Sequence, residues 1–119
     1  MKLPLLTALG LLLATPALAD WAQTLQEAKG QTVYFNAWGG DARTNAFIAW
    51  VSSQTEAQYG VKVAQVKLSD TAEAVTRVIS EKAEGQDQGG SVDLIWINGP
   101  NFLAMKDQGL LHGPFVADL

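Results

Sequence analysis

The chain has 119 residues, with eight Lys or Arg against twelve Asp or Glu and a formal net charge of −4. Its basic residues are scattered and never adjacent, which argues against the clustered positive surface that nucleic acid and anionic membranes require. Cysteine is absent, so disulfides, thiol catalysis and cysteine metal sites are excluded.

Lys2 is followed by an uncharged apolar run from Leu3 to Ala14, then Thr15-Pro16 and the small-residue ending Ala17-Leu18-Ala19. One charge, a short apolar core and an A-x-A ending predict a secretory signal peptide over residues 1–19, cleaved after Ala19. A membrane anchor needs about 20 continuous apolar residues. This run is shorter, and Pro4 and Pro16 bracket it. The expected product begins at Asp20 and is a soluble periplasmic protein. Its lack of cysteine fits a core large enough to need no covalent staples. The apolar-rich end Pro114-Phe115-Val116-Ala117-Asp118-Leu119 is taken as a truncation point, so residues 20–119 are expected to be part of a larger α/β lobe.

Residues 20–29 predict a short helix that docks through Trp21, Leu25 and Ala28, and Gly30 ends it. Thr32-Val33-Tyr34-Phe35-Asn36 is β-branched and aromatic, a first strand. Trp38-Gly39-Gly40-Asp41 then reads as a turn whose two glycines can take positive φ. Residues 43–59 predict a helix with Phe47, Trp50, Val51 and Ala57 towards the core, stopped by Gly60 at the C′ position. Residues 61–67 alternate apolar and polar, which predicts a strand with one wet face. Asp70 and Glu73 have capping-box spacing at the start of the next helix. That helix should bury Ala72, Val75, Val78, Ile79 and Ala83, with Glu73–Arg77 and Arg77–Glu81 pairs on its wet side. A glycine-rich loop, residues 85–91, leads to Val92-Asp93-Leu94-Ile95-Trp96-Ile97, a run apolar enough for burial on both faces. Asn98-Gly99-Pro100-Asn101 reads as a turn, with a short helix over residues 102–108.

Strands separated by helices predict an α/β fold of parallel βαβ units, with helices on both faces and strand order 2-1-3. In such sheets ligands sit outside the carboxyl ends of the strands, where the order reverses. Three segments meet there, and they supply the candidate ligand-binding residues: Trp38, Gly39, Gly40 and Asp41; Ser69, Asp70 and Thr71; Asn98, Gly99 and Asn101. Each also has a plainer role in a turn or a cap, and Trp50 and Trp96 are assigned to the core. Asp93 is assigned a structural role at a strand end. Asp41, Asp70 and Trp38 suit a cationic or aromatic compound, whereas helix N-termini suit an anion. The sequence leaves that choice open.

No nucleotide-binding glycine fingerprint, phosphate loop, nucleophile elbow or zinc-protease motif is present. His112, the single histidine, lies beyond the third strand, so no catalytic residue, metal ligand or cofactor is assigned and the chain is not expected to be an enzyme.

The order of these motifs is informative: Trp38-Gly39-Gly40, then Tyr59-Gly60-Val61-Lys62-Val63, then Asp93-Leu94-Ile95-Trp96-Ile97-Asn98-Gly99-Pro100-Asn101-Phe102. Lys106-Asp107-Gln108-Gly109-Leu110-Leu111-His112-Gly113-Pro114-Phe115 follows. From Trp21 to Leu119 the chain resembles the extracellular solute-binding proteins of bacterial ABC importers, in the group with thiamine-, iron- and polyamine-binding members. It is most similar to a subgroup serving an uncharacterised transport system. The resemblance implies a type II periplasmic-binding-protein-like first lobe, incomplete here, with a second lobe and hinge in the full-length monomer. It also implies a small-molecule solute of unknown identity and, as partners, the permease subunits. The competing readings are an exported α/β enzyme fragment of hydrolase or flavodoxin-like type, and an interaction domain without a ligand.

Overall fold

The computed structural model describes residues 21–116. The expected leader and the last three residues lie outside that range. In chain order the elements are α1 (Trp21–Ala28), β1 (Thr32–Trp38), α2 (Ala42–Tyr59), β2 (Lys62–Leu68), α3 (Thr71–Ala83), β3 (Leu94–Ile95) and α4 (Gly99–Asp107). The fold is α/β, and its three parallel strands run in the order β2-β1-β3, as the alternation of elements predicts.

Local chemistry sets the boundaries. Gly30 takes φ +79° and donates its N–H to the Gly60 carbonyl at 2.8 Å, which turns the chain from α1 into β1. Gly60 ends α2 in the left-handed region at φ +69°, where a side chain would be strained, and its N–H reaches Glu56 O at 3.0 Å. At α3 the capping box closes. Asp70 accepts from Ala72 N–H at 2.8 Å, and Glu73 accepts from the N–H groups of Ser69 and Asp70 at 3.1 and 3.0 Å.

Alternate residues of β1 feed the two faces of the sheet. Gln65 lies opposite Phe35 and donates to Asn45 of α2 at 2.8 Å, so that face carries α2. Asn36, on the other face, is fully buried and accepts from the Arg77 guanidinium of α3 at 3.0 Å. The apolar core is small: Ala37, Ile48, Leu68, Ala74, Val75 and Met105.

The structure corrects several expectations about faces. In α2 the buried residue is Ile48, with Ser52 also turned inward to accept from Val63 N–H at 3.0 Å. Phe47 and Trp50 stack on each other in the open, at a centroid distance of 6.0 Å, and Ala57 is exposed. Apolar residues lie on both sides of this helix, so the count of apolar residues alone chose the wrong one. In α3 Ala74 and Val75 are buried while Ala72, Ile79 and Ala83 are exposed. Arg77 leaves the wet face to donate to Asn36, Glu73 serves the cap, and Glu81 accepts from Ser91 while the charge of Arg77 still favours its ionised form. Strand β2 is half-buried on both sides from Val63 to Val66, because helices cover both faces, so its alternation does not mark a wet face.

Two regions are less packed than the sequence suggests. The helix α1 has no buried residue, and Trp21 is exposed. The ladder of β3 is only two residues long, and Leu94 and Trp96 are about half exposed instead of lying in the core. Among the described residues, β3 is an edge strand of the sheet, paired with β1 alone. Trp96 lies almost parallel to Phe35 at 6.4 Å, so its apolar surface is only partly hidden. Asp93 is structural as expected, and its carboxylate accepts the Tyr34 N–H at 2.8 Å.

Candidate ligand-binding site

The three carboxyl ends of the strands each run into a capped helix. After β1, Asp41 caps α2, accepting from the Thr44 N–H at 2.9 Å and the Thr44 hydroxyl at 2.6 Å. These two bonds, the hydroxyl first, hold the Asp41 carboxyl below its ordinary range, so it stays ionised near neutral pH. After β2, Asp70 caps α3. After β3, Asn98 caps α4 and accepts from both the backbone and the side-chain amide of Asn101, at 3.2 and 2.9 Å. Asn98-Gly99-Pro100-Asn101 is therefore a helix start and not a free turn. Pro100 in the first helical turn gives up an N–H that the helix does not use.

Gly39 and Gly40 are needed for space. Neither takes a positive φ, contrary to the turn expected of them. A Cβ on Gly39 would press against the Lys67 stem at 2.7 Å, and one on Gly40 would collide with the Trp38 ring. The Gly39 carbonyl also accepts from the Asn45 amide at 2.9 Å, which ties the loop to α2.

Between these ends lies a cavity of about 280 Å³, lined by Trp38, Thr44, Thr71, Trp96, Ile97 and Asn98. Of the ten residues expected to bind ligand, Trp38, Thr71 and Asn98 line it directly. Asp41 and Asp70 are outside the lining: Asp41 holds Thr44, and Asp70, the neighbour of Thr71 in the chain, is bonded to Ala72. Gly40 makes room for Trp38 and Gly39 for the Lys67 stem, and Ser69 is engaged by Glu73. Gly99 and Asn101 lie in the first turn of α4 and are not part of the lining.

Sequence reasoning missed Thr44, Trp96 and Ile97. Thr44 was legible as the residue three places after a capping aspartate, and Trp96 as the last aromatic before the Asn98 cap. A larger hollow of about 680 Å³ lies beside edge strand β3, against α3 and α4, with Met105 and Leu110 among its walls; it shares only Ile97 with the first. It follows the uncovered edge, away from the caps of α2 and α3.

Among the described residues, no charged side chain of either sign lines the strand-end cavity. Lys67 lays its stem on Gly39, and Arg77 is committed to Asn36. Among the described residues, no group of three His, Cys, Asp or Glu is placed to hold a metal ion. His112 is exposed beside Phe115. The arrangement suits reversible capture of a small molecule by ring contact and neutral hydrogen bonds.

The chain is similar to Protein YnjB of Escherichia coli (strain K12), with 50% identity over 100 residues. That match covers 84% of this chain and 26% of YnjB, so the chain spans about a quarter of the length of the curated relative it matches. No family model matches the sequence, and no solved structure matches it.

Proposed function

We propose that this chain belongs to the solute-binding component of a bacterial ABC importer, exported to the periplasm, and that it forms one wall of the ligand cleft. It captures a small molecule for delivery to the permease and performs no chemistry on it. One observation carries this reading. Three capped helix starts surround a single cavity at the carboxyl ends of a parallel sheet, where two tryptophans and three neutral polar side chains converge. Such a set can hold a solute, and it contains no paired base and nucleophile. The half-identical relative is much longer than this chain, which leaves length for a second lobe and a hinge.

The test is genetic and biochemical. The gene is deleted in its native host, and uptake of a panel of labelled solutes is followed. The chain, expressed from its own leader, is weighed in the periplasmic fraction. Loss of uptake of one solute and a mass beginning at Asp20 are the expected results. Unchanged uptake of every solute, or retention of the chain in the cytoplasm at full mass, would contradict the proposal.

A further inference from the structure

We infer that Asn98 is a site of intramolecular modification. The Gly99 backbone nitrogen attacks its side-chain amide, ammonia leaves, and the residue becomes aspartate or isoaspartate. The inference does not depend on whether the strand-end cavity takes a ligand.

The chain has four asparagines, and Asn98 is the one that glycine follows. The reaction needs the next residue's nitrogen to approach the side-chain carbonyl carbon, and a side chain on that residue obstructs the approach. Gly99 has none, and nothing lies within 4 Å of where its Cβ would stand. Its N–H is one of the unpaired donors of a helix start, with no acceptor among the described residues. Asn98 and Gly99 are both exposed, so water and hydroxide reach them.

The amide under attack is prepared as well. Asn98 Oδ1 accepts from the Asn101 N–H at 3.2 Å and from its side-chain amide at 2.9 Å. Both bonds draw charge away from Cγ. The leaving nitrogen, Asn98 Nδ2, donates to none of the described residues. The other three asparagines are committed. Asn36 is fully buried, and Asn45 donates its amide to the Gly39 carbonyl at 2.9 Å. Asn101 donates its amide to Asn98, and the N–H that follows it, that of Phe102, goes to the Asn98 carbonyl at 2.9 Å.

One movement is required. At ψ 164° the Gly99 nitrogen stands off Cγ, and ψ of Asn98 must turn to bring the two together. That turn opens only the start of α4. The buried residue of this helix, Met105, lies near its far end, while Phe102 and Leu103 are about half exposed. Helix ends open at little cost.

The step balances with water alone. A base in solvent takes the Gly99 amide proton, the nitrogen bonds to Cγ, and the Cγ–Nδ2 bond breaks with release of ammonia. Water then opens the cyclic imide: at Cγ it gives aspartate, and at the backbone carbonyl it gives isoaspartate. Aspartate still caps α4, but it puts a charge on a cavity wall whose lining is otherwise uncharged. Isoaspartate reroutes the backbone through the side chain and displaces the cap.

The folded chain is held at mildly alkaline pH in water enriched in heavy oxygen, and the peptide containing Asn98 is followed by mass and fragmentation. The expected result is exchange of ammonia for labelled water at Asn98, with the other asparagines unchanged and both aspartate and isoaspartate formed. Gly99→Ala, which the open space accommodates, should slow the reaction severalfold while amide exchange shows the fold intact. The same chain in urea gives the rate without the helix. Conversion of Asn98 in urea but not in the folded chain would show that the cap protects it, and the inference would fall. Aspartate without isoaspartate, or a Gly99→Ala variant that reacts as fast as the unaltered chain, would overturn it equally.

Discussion

The two sides of strand β1 are built very differently. Towards β2 it is paired along its whole length, in seven register positions from Thr32 with Lys62 to Trp38 with Leu68. Towards β3 it is paired at two, Phe35 with Leu94 and Asn36 with Ile95. The first side is roofed by α2 and α3 and contains Ile48, Leu68, Ala74 and Val75 in its core. The second is held by polar clips: Asp93 on the Tyr34 N–H, and Glu81 on the N–H and hydroxyl of Ser91 at 2.9 and 2.5 Å. Stability on the first side thus comes mainly from burial, and on the second from these hydrogen bonds together with the buried Met105 of α4. The candidate cavity spans the seam, with Trp38, Thr44 and Thr71 on the packed side and Trp96, Ile97 and Asn98 on the clipped side.

That contrast can be broken most severely at Ile48, which is 2% exposed. Ile48→Ala removes the centre of the α2 contact and should cost about 2–5 kcal/mol, read as a fall in the denaturant midpoint. Exchange of the β1 and β2 amides, paired along the whole of both strands, should accelerate with it. Glu81→Ala tests the other side. It leaves the Ser91 N–H and hydroxyl without their acceptor and should cost about 1–3 kcal/mol. Amide exchange near residues 91–97 should rise before that of residues 32–38 and 62–68. A uniform rise would show that the two sides unfold as one.

Smaller effects sharpen the same picture. Asp70→Ala removes the α3 cap and should cost about 1 kcal/mol, while Asp70→Asn should cost much less. Acid should loosen the clipped side. The carboxyl of Glu81 is held below its ordinary range, chiefly by the Ser91 hydroxyl and then by the Ser91 N–H. A lowered folded-state value means that its stabilisation is complete above the ordinary carboxylate range of about 4 and is lost as pH falls through the lowered value. Asp41 has the same sign at the start of α2, so both contributions disappear together below that range. Glu81→Gln should flatten part of this acid dependence in a pH series of unfolding midpoints. The smallest stability change is expected for Gly40→Ala, where the colliding Trp38 ring is exposed and can swing outwards. A clear shift of the Trp38 indole signal with little change in melting temperature is the expected outcome.

Much of the framework was legible in the residues because punctuation is local. The breaks at Gly30 and Gly60 and the Asp70–Glu73 box are set by residues acting on their own backbone, and the parallel 2-1-3 order follows from the alternation of strands and helices. Faces were harder, because they depend on what packs opposite. Trp50 sits in an apolar stretch of α2, yet the residue that meets the sheet is Ile48. Trp96 lies in an apolar run that continues to Ile97, yet a strand burying only one edge leaves its ring open and available to the cavity. The glycines after β1 were recognised as necessary for the wrong reason: the constraint is the volume of Trp38 and Lys67, which no local rule reveals.

The most direct measurement is native mass spectrometry of the chain incubated with a periplasmic extract of its own host, beside the Trp38→Leu variant. The account predicts one small-molecule adduct on the unaltered chain that is absent from the folded variant. No adduct on either protein, or the same adduct on both, would contradict the assignment of the strand-end cavity as the ligand site.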